Sequence, residues 1–157
     1  MKIVVSPNPY RDKQFKNARQ ACSILREAGA EVALCLPFDV DKTFEIPHDL
    51  RFQDIQKEIK TADMLICFGG DGTILHSSKI ATEHNLPILG VNIGTMGFIA
   101  ELESGEIELL RRIPKGEYTV EERTMLDVSV GNGRQTIFHE TALNDAVITK
   151  GAIARVV

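Results

Sequence analysis

Between an apolar run and an amphipathic one the chain carries Gly69-Gly70-Asp71-Gly72-Thr73. Glycines at such a junction let backbone N–H groups approach phosphate oxygens, and the N-terminus of a following helix adds its dipole. The sequence contains no G-x-x-x-x-G-K-[ST], so this is not a Walker loop and supplies no P-loop lysine. An aspartate among the glycines is the unusual element. A carboxylate facing phosphates is electrostatically costly unless it binds a metal or takes a proton from a hydroxyl. Both roles belong to phosphoryl transfer to an alcohol, where positioning and charge stabilisation do most of the catalysis. The competing account is that Asp71 caps the following helix or tightens a turn.

Two other segments invite a chemical reading. Leu89 to Phe98 (LGVNIGTMGF) is glycine-rich and also follows a strand-like run, though a glycine-rich loop between domains is an equal explanation. Asn144-Asp145, within ALNDAVI, offers donors and acceptors suited to ribose hydroxyls or an adenine edge. Alone, that pair reads first as a turn.

In this order, GGDGT, LGVNIGTMGF and ALND resemble the bacterial NAD kinases, the ATP/polyphosphate-NAD kinase family. GGDGT by itself is shared with lipid kinases and, loosely, with phosphofructokinases; the combination is more specific. The resemblance runs from about Asp63 to the end of the chain. It implies that Asp71 is a general base for the 2′-hydroxyl of the adenosine ribose of NAD. That hydroxyl would attack the γ-phosphate of ATP, or the end of polyphosphate, assisted by Mg²⁺ or another divalent ion. Gly69, Gly70, Gly72 and Thr73 would surround the nucleotide, and Asn144 and Asp145 would hold NAD. His76 matches a position where the family often has a basic NAD-contacting residue, and Arg155 one where it often has a basic residue near substrate. An exposed helical histidine and a plain surface arginine are the alternatives. Phe98 would pack against a base, unless it is a core phenylalanine. A lipid or sugar kinase sharing the loop, and a non-catalytic NAD(P)-binding module, are the other functional readings.

The family's further motif, of the type T-P-T-G-S-T-A-Y, does not occur. The expectation is therefore an N-terminal portion that does not turn over NAD alone. The family's β-sandwich, which also carries its oligomer contacts, would be only begun here. A homo-oligomer is expected of the full-length protein.

The elements that must position these residues follow from hydrophobic pattern. Lys2–Ser6 (KIVVS), Val32–Leu36, Met64–Phe68 (MLICF) and Ile88–Val91 read as strands. Phe15, Ala18, Cys22 and Leu25 predict an amphipathic helix ended by Gly29. Phe52, Ile55 and Ile59 predict a second helix, and Thr73 to about Glu83 a third, with a surface loop over Phe38–Leu50. Strands alternating with helices argue for an α/β fold, a Rossmann-like layered domain with a parallel sheet covered on both faces. Beyond residue 100, Ile107, Leu110 and Ile113 suggest a short helix. Strands are then expected over Thr124–Val130, Thr136–Phe138 and Ala146–Thr149, with Gly131-Asn132-Gly133 as a hairpin turn. This divides the chain into 1–100, an α/β domain with the GGDGT loop, and 101–157, an incomplete β-rich domain.

Composition restricts the partners. The 157 residues carry a net charge of −4 with scattered basic residues, which argues against a nucleic-acid surface. No apolar run approaches a membrane span, and MKIVVSP is too short for a signal peptide. The three cysteines (Cys22, Cys35, Cys67) and four histidines show no metal-ligand spacing, so reduced core thiols in a cytoplasmic protein are expected, without a zinc site. The expected partners are the small molecules NAD and ATP.

Overall fold

The structure is a computed structural model and describes residues 1–94 and 97–148. It separates into two compact units, Met1–Val120 and a second beginning at Glu121. The first is built on five parallel strands: β1 (Lys2–Pro7), β2 (Glu31–Leu34), β3 (Met64–Gly69), β4 (Ile88–Asn92) and β5 (Leu102–Glu103). Their order across the sheet is β2-β1-β3-β4-β5. From β1 the chain crosses outward to β2, then returns over β1 to start β3 on its other side. That reversal is a topological switch point between β1 and β3, where open α/β sheets bind ligands beyond the strands' carboxyl ends.

Both faces of the sheet are covered, and so its central strands β1 and β3 are buried runs rather than alternating ones. On one face Ile3, Val5, Met64, Ile66 and Phe68 pack with α1 (Lys16–Glu27) and with the 3₁₀ helix Ser104–Lys115 through Ile107, Leu110 and Ile113. On the other, Val4, Ala33, Cys35 and Leu65 meet Ile59 and Ala81. These two residues belong to the 3₁₀ turn after α2 (Ile55–Glu58) and to α3 (Asp71–Glu83).

Several boundaries differ from expectation. The first compact unit continues past residue 100, because the apolar stripe of Ser104–Lys115 completes the core against α1. The second predicted helix shrinks to the single turn α2. Phe52 lies outside it, beside Gln53, which bridges Cys35, and its ring meets Phe15 at 4.9 Å. The third helix starts at Asp71 rather than Thr73, with Gly70 as N-cap.

Asp12 organises the entry to α1. It is fully buried, and its carboxylate accepts from the N–H of Asn17 and Ala18 and from the Asn17 side chain. Those are the first-turn amides that the N-cap residue, Phe15, has no side-chain acceptor to satisfy. Gln14 and Phe15 hold φ of 54° and 55°, a left-handed conformation costing about 1 kcal/mol or more each. Burial of the Phe15 ring against Phe44 and Phe52 offsets that cost and fastens the loop over residues 38–50. The Arg19–Asp49 ion pair ties the same loop to α1. Hydrogen bonding to the Arg19 guanidinium holds the Asp49 carboxyl below its usual range.

The second unit contains an antiparallel hairpin, β6 (Leu126–Gly131) and β7 (Thr136–Ala142). It turns through Asn132, whose side chain accepts from the N–H of Arg134 and Gln135, and through Gly133 at φ 83°. Leu126, Val130, Ile137 and Phe138 are exposed on it. The expected strand at Ala146 is not formed over Ala146–Ile148, and Thr149 lies outside the described residues. Among the described residues no helix is long and apolar enough to cross a membrane.

Candidate active site

The GGDGT segment leaves the carboxyl end of β3 and enters α3 without an intervening loop. Gly69 ends the strand and Gly70 caps the helix in extended conformation. Asp71 and Gly72 are its first residues, so their N–H groups have no acceptor within the helix. A methyl group on Gly69 would lie 2.5 Å from Thr73 Cβ, so only glycine lets the first helical turn fold back this closely. Thr73 is buried, and its hydroxyl accepts from the Asn8 side chain at 2.9 Å. Asn8 follows β1, and its own N–H donates to the Phe68 carbonyl of β3 at 2.8 Å. The two loops flanking the switch point are thus fastened to one another.

Asp71 does not cap its own helix. Its Oδ2 accepts from the N–H of Phe98 at 3.0 Å and its Oδ1 from the N–H of Ile99 at 3.3 Å. The carboxylate therefore joins the GGDGT loop to the glycine-rich segment after β4. Gly97 lies against it: a methyl group there would sit 2.9 Å from Asp71 Cγ, and closer still to Oδ1. Upstream, buried Asn92 accepts from the Gly94 N–H and donates to both Glu103 oxygens, fixing the start of that segment.

A cavity of about 240 Å³ opens here, lined by Gly69, Gly70, Asp71, Gly72 and Gly97, with Arg11, Ile93 and Gly94. A second of about 220 Å³ adjoins it over Gly70, Gly72 and Thr73, with Asn8, Arg11 and Phe38. Backbone amides, one carboxylate and one guanidinium dominate the lining. Among the described residues no three His, Cys, Asp or Glu side chains form a metal cage. Magnesium seldom needs one, since it keeps waters and substrate phosphates and takes one or two carboxylates. A lining of one carboxylate suits that pattern.

The remaining expected site residues divide. His76 is one turn into α3, but its Nε2 lies 3.1 Å from the Pro37 carbonyl and its ring stands edge-on to Phe38 at 5.6 Å. It reaches the cavities only through Phe38. Phe98 is not a core residue, being 98% exposed, and only its backbone is held. Asn144 and Asp145 belong to the second unit, exposed, with one weak mutual hydrogen bond at 3.4 Å. Arg155 lies outside the described residues. Sequence reading passed over Asn8 and Arg11. The available signal was a polar and a basic residue just past the end of a central strand, at Pro7-Asn8-Pro9-Tyr10-Arg11.

The three cysteines stand apart from this site, buried and free. Burial raises the Cys22 thiol to about 11 and those of Cys35 and Cys67 to about 12.

Comparison with known proteins bears on the fold and the family. The yeast NADH kinase, in a crystal structure with NADH, superposes with a TM-score of 0.67 over 92% of this chain and 47% of that one. At 20% identity this likeness establishes the fold. The NAD kinase of Acetivibrio thermocellus is 31% identical over 99% of this chain and 53% of that protein. That of Caldanaerobacter subterraneus is 35% identical over 98% and 53%. The chain spans about half the length of these curated relatives. The family model described as the ATP-NAD kinase N-terminal domain matches residues 2–118, which takes in the sheet, the GGDGT loop and the segment that latches Asp71. A match over that much of the first unit makes this chain a member of the NAD kinase family.

Proposed function

We propose that the protein transfers the terminal phosphate of ATP, or of polyphosphate, to the 2′-hydroxyl of the adenosine ribose of NAD, making NADP. The observation that carries this reading is the single carboxylate, Asp71, set among glycines and free helical N–H groups at the β1/β3 switch point. Glycine amides and the α3 dipole suit phosphates, and a lone carboxylate among them suits an attacking hydroxyl.

Asp71 is the proposed general base. Its two hydrogen bonds from Phe98 and Ile99 orient the carboxylate but use only part of its roughly four lone-pair sites. As the ribose oxygen bonds to the terminal phosphorus, its proton passes to Asp71 and the bond to the bridging oxygen breaks, releasing ADP, or a polyphosphate shorter by one unit. Gly69, Gly70, Gly72 and Thr73 present backbone to the phosphates. A divalent ion such as Mg²⁺, carried on the donor's phosphates and its own waters, would neutralise charge developing there and leave Asp71 free as the base.

The exposed Phe98 ring is proposed to stack on a base, and Asn144 and Asp145 to hold NAD from the β-rich domain that the second unit begins. Arg155 is proposed to lie near substrate, and His76 to act by supporting Phe38. A cytoplasmic, homo-oligomeric full-length enzyme completes the reading.

The test is NADP formation from NAD, ATP and Mg²⁺ by the full-length protein, by Asp71→Asn and by residues 1–157 alone. The full-length protein should be active and the other two inactive. Full-length protein that binds NAD without forming NADP from either donor would sink the proposal.

A further inference from the structure

Among the described residues, Arg11 is the one basic side chain lining either cavity, and it lines both. Its backbone is held firmly. Its N–H donates to the Asn8 carbonyl at 3.1 Å, closing a turn that Asn8 ties to Phe68 and Thr73 on one side. On the other side the turn runs into the buried carboxylate of Asp12. The guanidinium reaches across to the segment after β4, with one nitrogen 3.9 Å from where a Gly94 Cβ would stand. Among the described residues, no carboxylate or other acceptor engages that guanidinium. A rigidly mounted, unpaired arginine facing free helical amides is a site prepared for an anion.

Charge decides which anion. Among the described residues the lining carries Asp71 as its only carboxylate, so an unscreened polyanion would be repelled there. The loop also lacks the lysine by which Walker loops hold terminal phosphates. We propose that Arg11 is the donor-binding residue that holds the terminal phosphates of ATP or polyphosphate. Its planar fork engages two oxygens of the group in transfer, supplying from the loop after β1 the charge that GGDGT lacks. This deepens the kinase reading and rests on it.

The experiment compares full-length protein with Arg11→Gln and Arg11→Lys by two measurements. Calorimetry with inorganic tripolyphosphate reads the anion site without turnover, and initial rates give KM for ATP and for NAD separately. Arg11→Gln should weaken tripolyphosphate binding and raise KM for ATP by about ten- to a hundredfold, the range for one lost charged pair. KM for NAD should stay within about twofold, and Arg11→Lys should fall between, since it keeps charge without the fork. If Arg11→Gln does not fold, Arg11→Lys carries the decision, with several-fold weakening expected.

Unchanged tripolyphosphate binding in the variants, no binding to the parent, or an effect on KM for NAD alone would each overturn the assignment. Arg11-dependent tripolyphosphate binding in a parent that makes no NADP would leave the anion site standing and remove the kinase reading.

Discussion

Asp71 Oδ2 accepts a hydrogen bond from the Phe98 N–H at 3.0 Å, so the carboxylate and the segment after β4 hold one another in place. The same contact that aims the carboxylate also leaves the Phe98 ring in solvent. The proposed base chemistry and the loop's position are thereby joined in one side chain.

Asp71→Asn separates the two roles. The amide keeps one acceptor for a loop N–H but has no basic oxygen. NADP formation should fall by about 10² to 10⁴-fold, the usual worth of a general base. Thermal unfolding should shift by no more than about 1 kcal/mol, the worth of one hydrogen bond. A variant that keeps wild-type kcat shows that Asp71 is only a latch.

Gly97→Ala acts from the opposite side. Its methyl group would press on the Asp71 carboxylate and displace the latch. Gly97 itself is no member of the apolar core, so activity should drop at least tenfold while the melting temperature changes little. Equal loss of activity and stability would place the loop within the cooperative core instead.

The Asn8–Thr73 hydrogen bond can be isolated by a double-mutant cycle. Thr73→Val keeps the shape but removes the acceptor, leaving the half-buried Asn8 amide unpaired. Each single change should cost about 1 kcal/mol, with a coupling of similar size between Asn8→Ala and Thr73→Val. Urea unfolding of the four proteins measures it, and additive effects would mean that the loops are held by other contacts.

Buried thiols set the alkaline behaviour. The folded values of about 11 for Cys22 and about 12 for Cys35 and Cys67 exceed the ordinary value of 9.0. A raised pKa favours the protonated form in the folded state, so this contribution is fully present below the ordinary value. It is lost as pH rises toward the folded values. Denaturant midpoints should fall steadily above pH 9, and none of the three thiols should react with a disulfide reagent at pH 8 before unfolding. Rapid native labelling of any of them would contradict their burial.

Much of the fold was legible because its signals are local. The run Met64–Phe68 reads as a buried strand by itself, and the glycines that stop it mark the site directly. Pattern alone starts the helix two residues late because Gly70 caps through its backbone, without a polar side chain to announce it. Phe52 matches a helix face by spacing, yet its apolar character serves the Phe15 cluster. Arg11 was illegible for a different reason. It comes to line one cavity with Asp71 only through the parallel pairing of β1 with β3, Pro7 opposite Phe68, which no spacing along the chain expresses.

That pairing has a kinetic consequence. β1 is synthesised first but lies inside the sheet, and its partners Glu31–Leu34 and Met64–Gly69 emerge from the ribosome only later. Loop closure must precede any reward from such distant contacts, so this sheet zips slowly beside the local hairpin of β6 and β7. The cradle between β1 and β3 exists only once those two distant strands have paired. On the proposed function, donor binding would therefore report pairing of β1 with β3, and a donor present during refolding would stabilise the finished sheet without speeding its assembly.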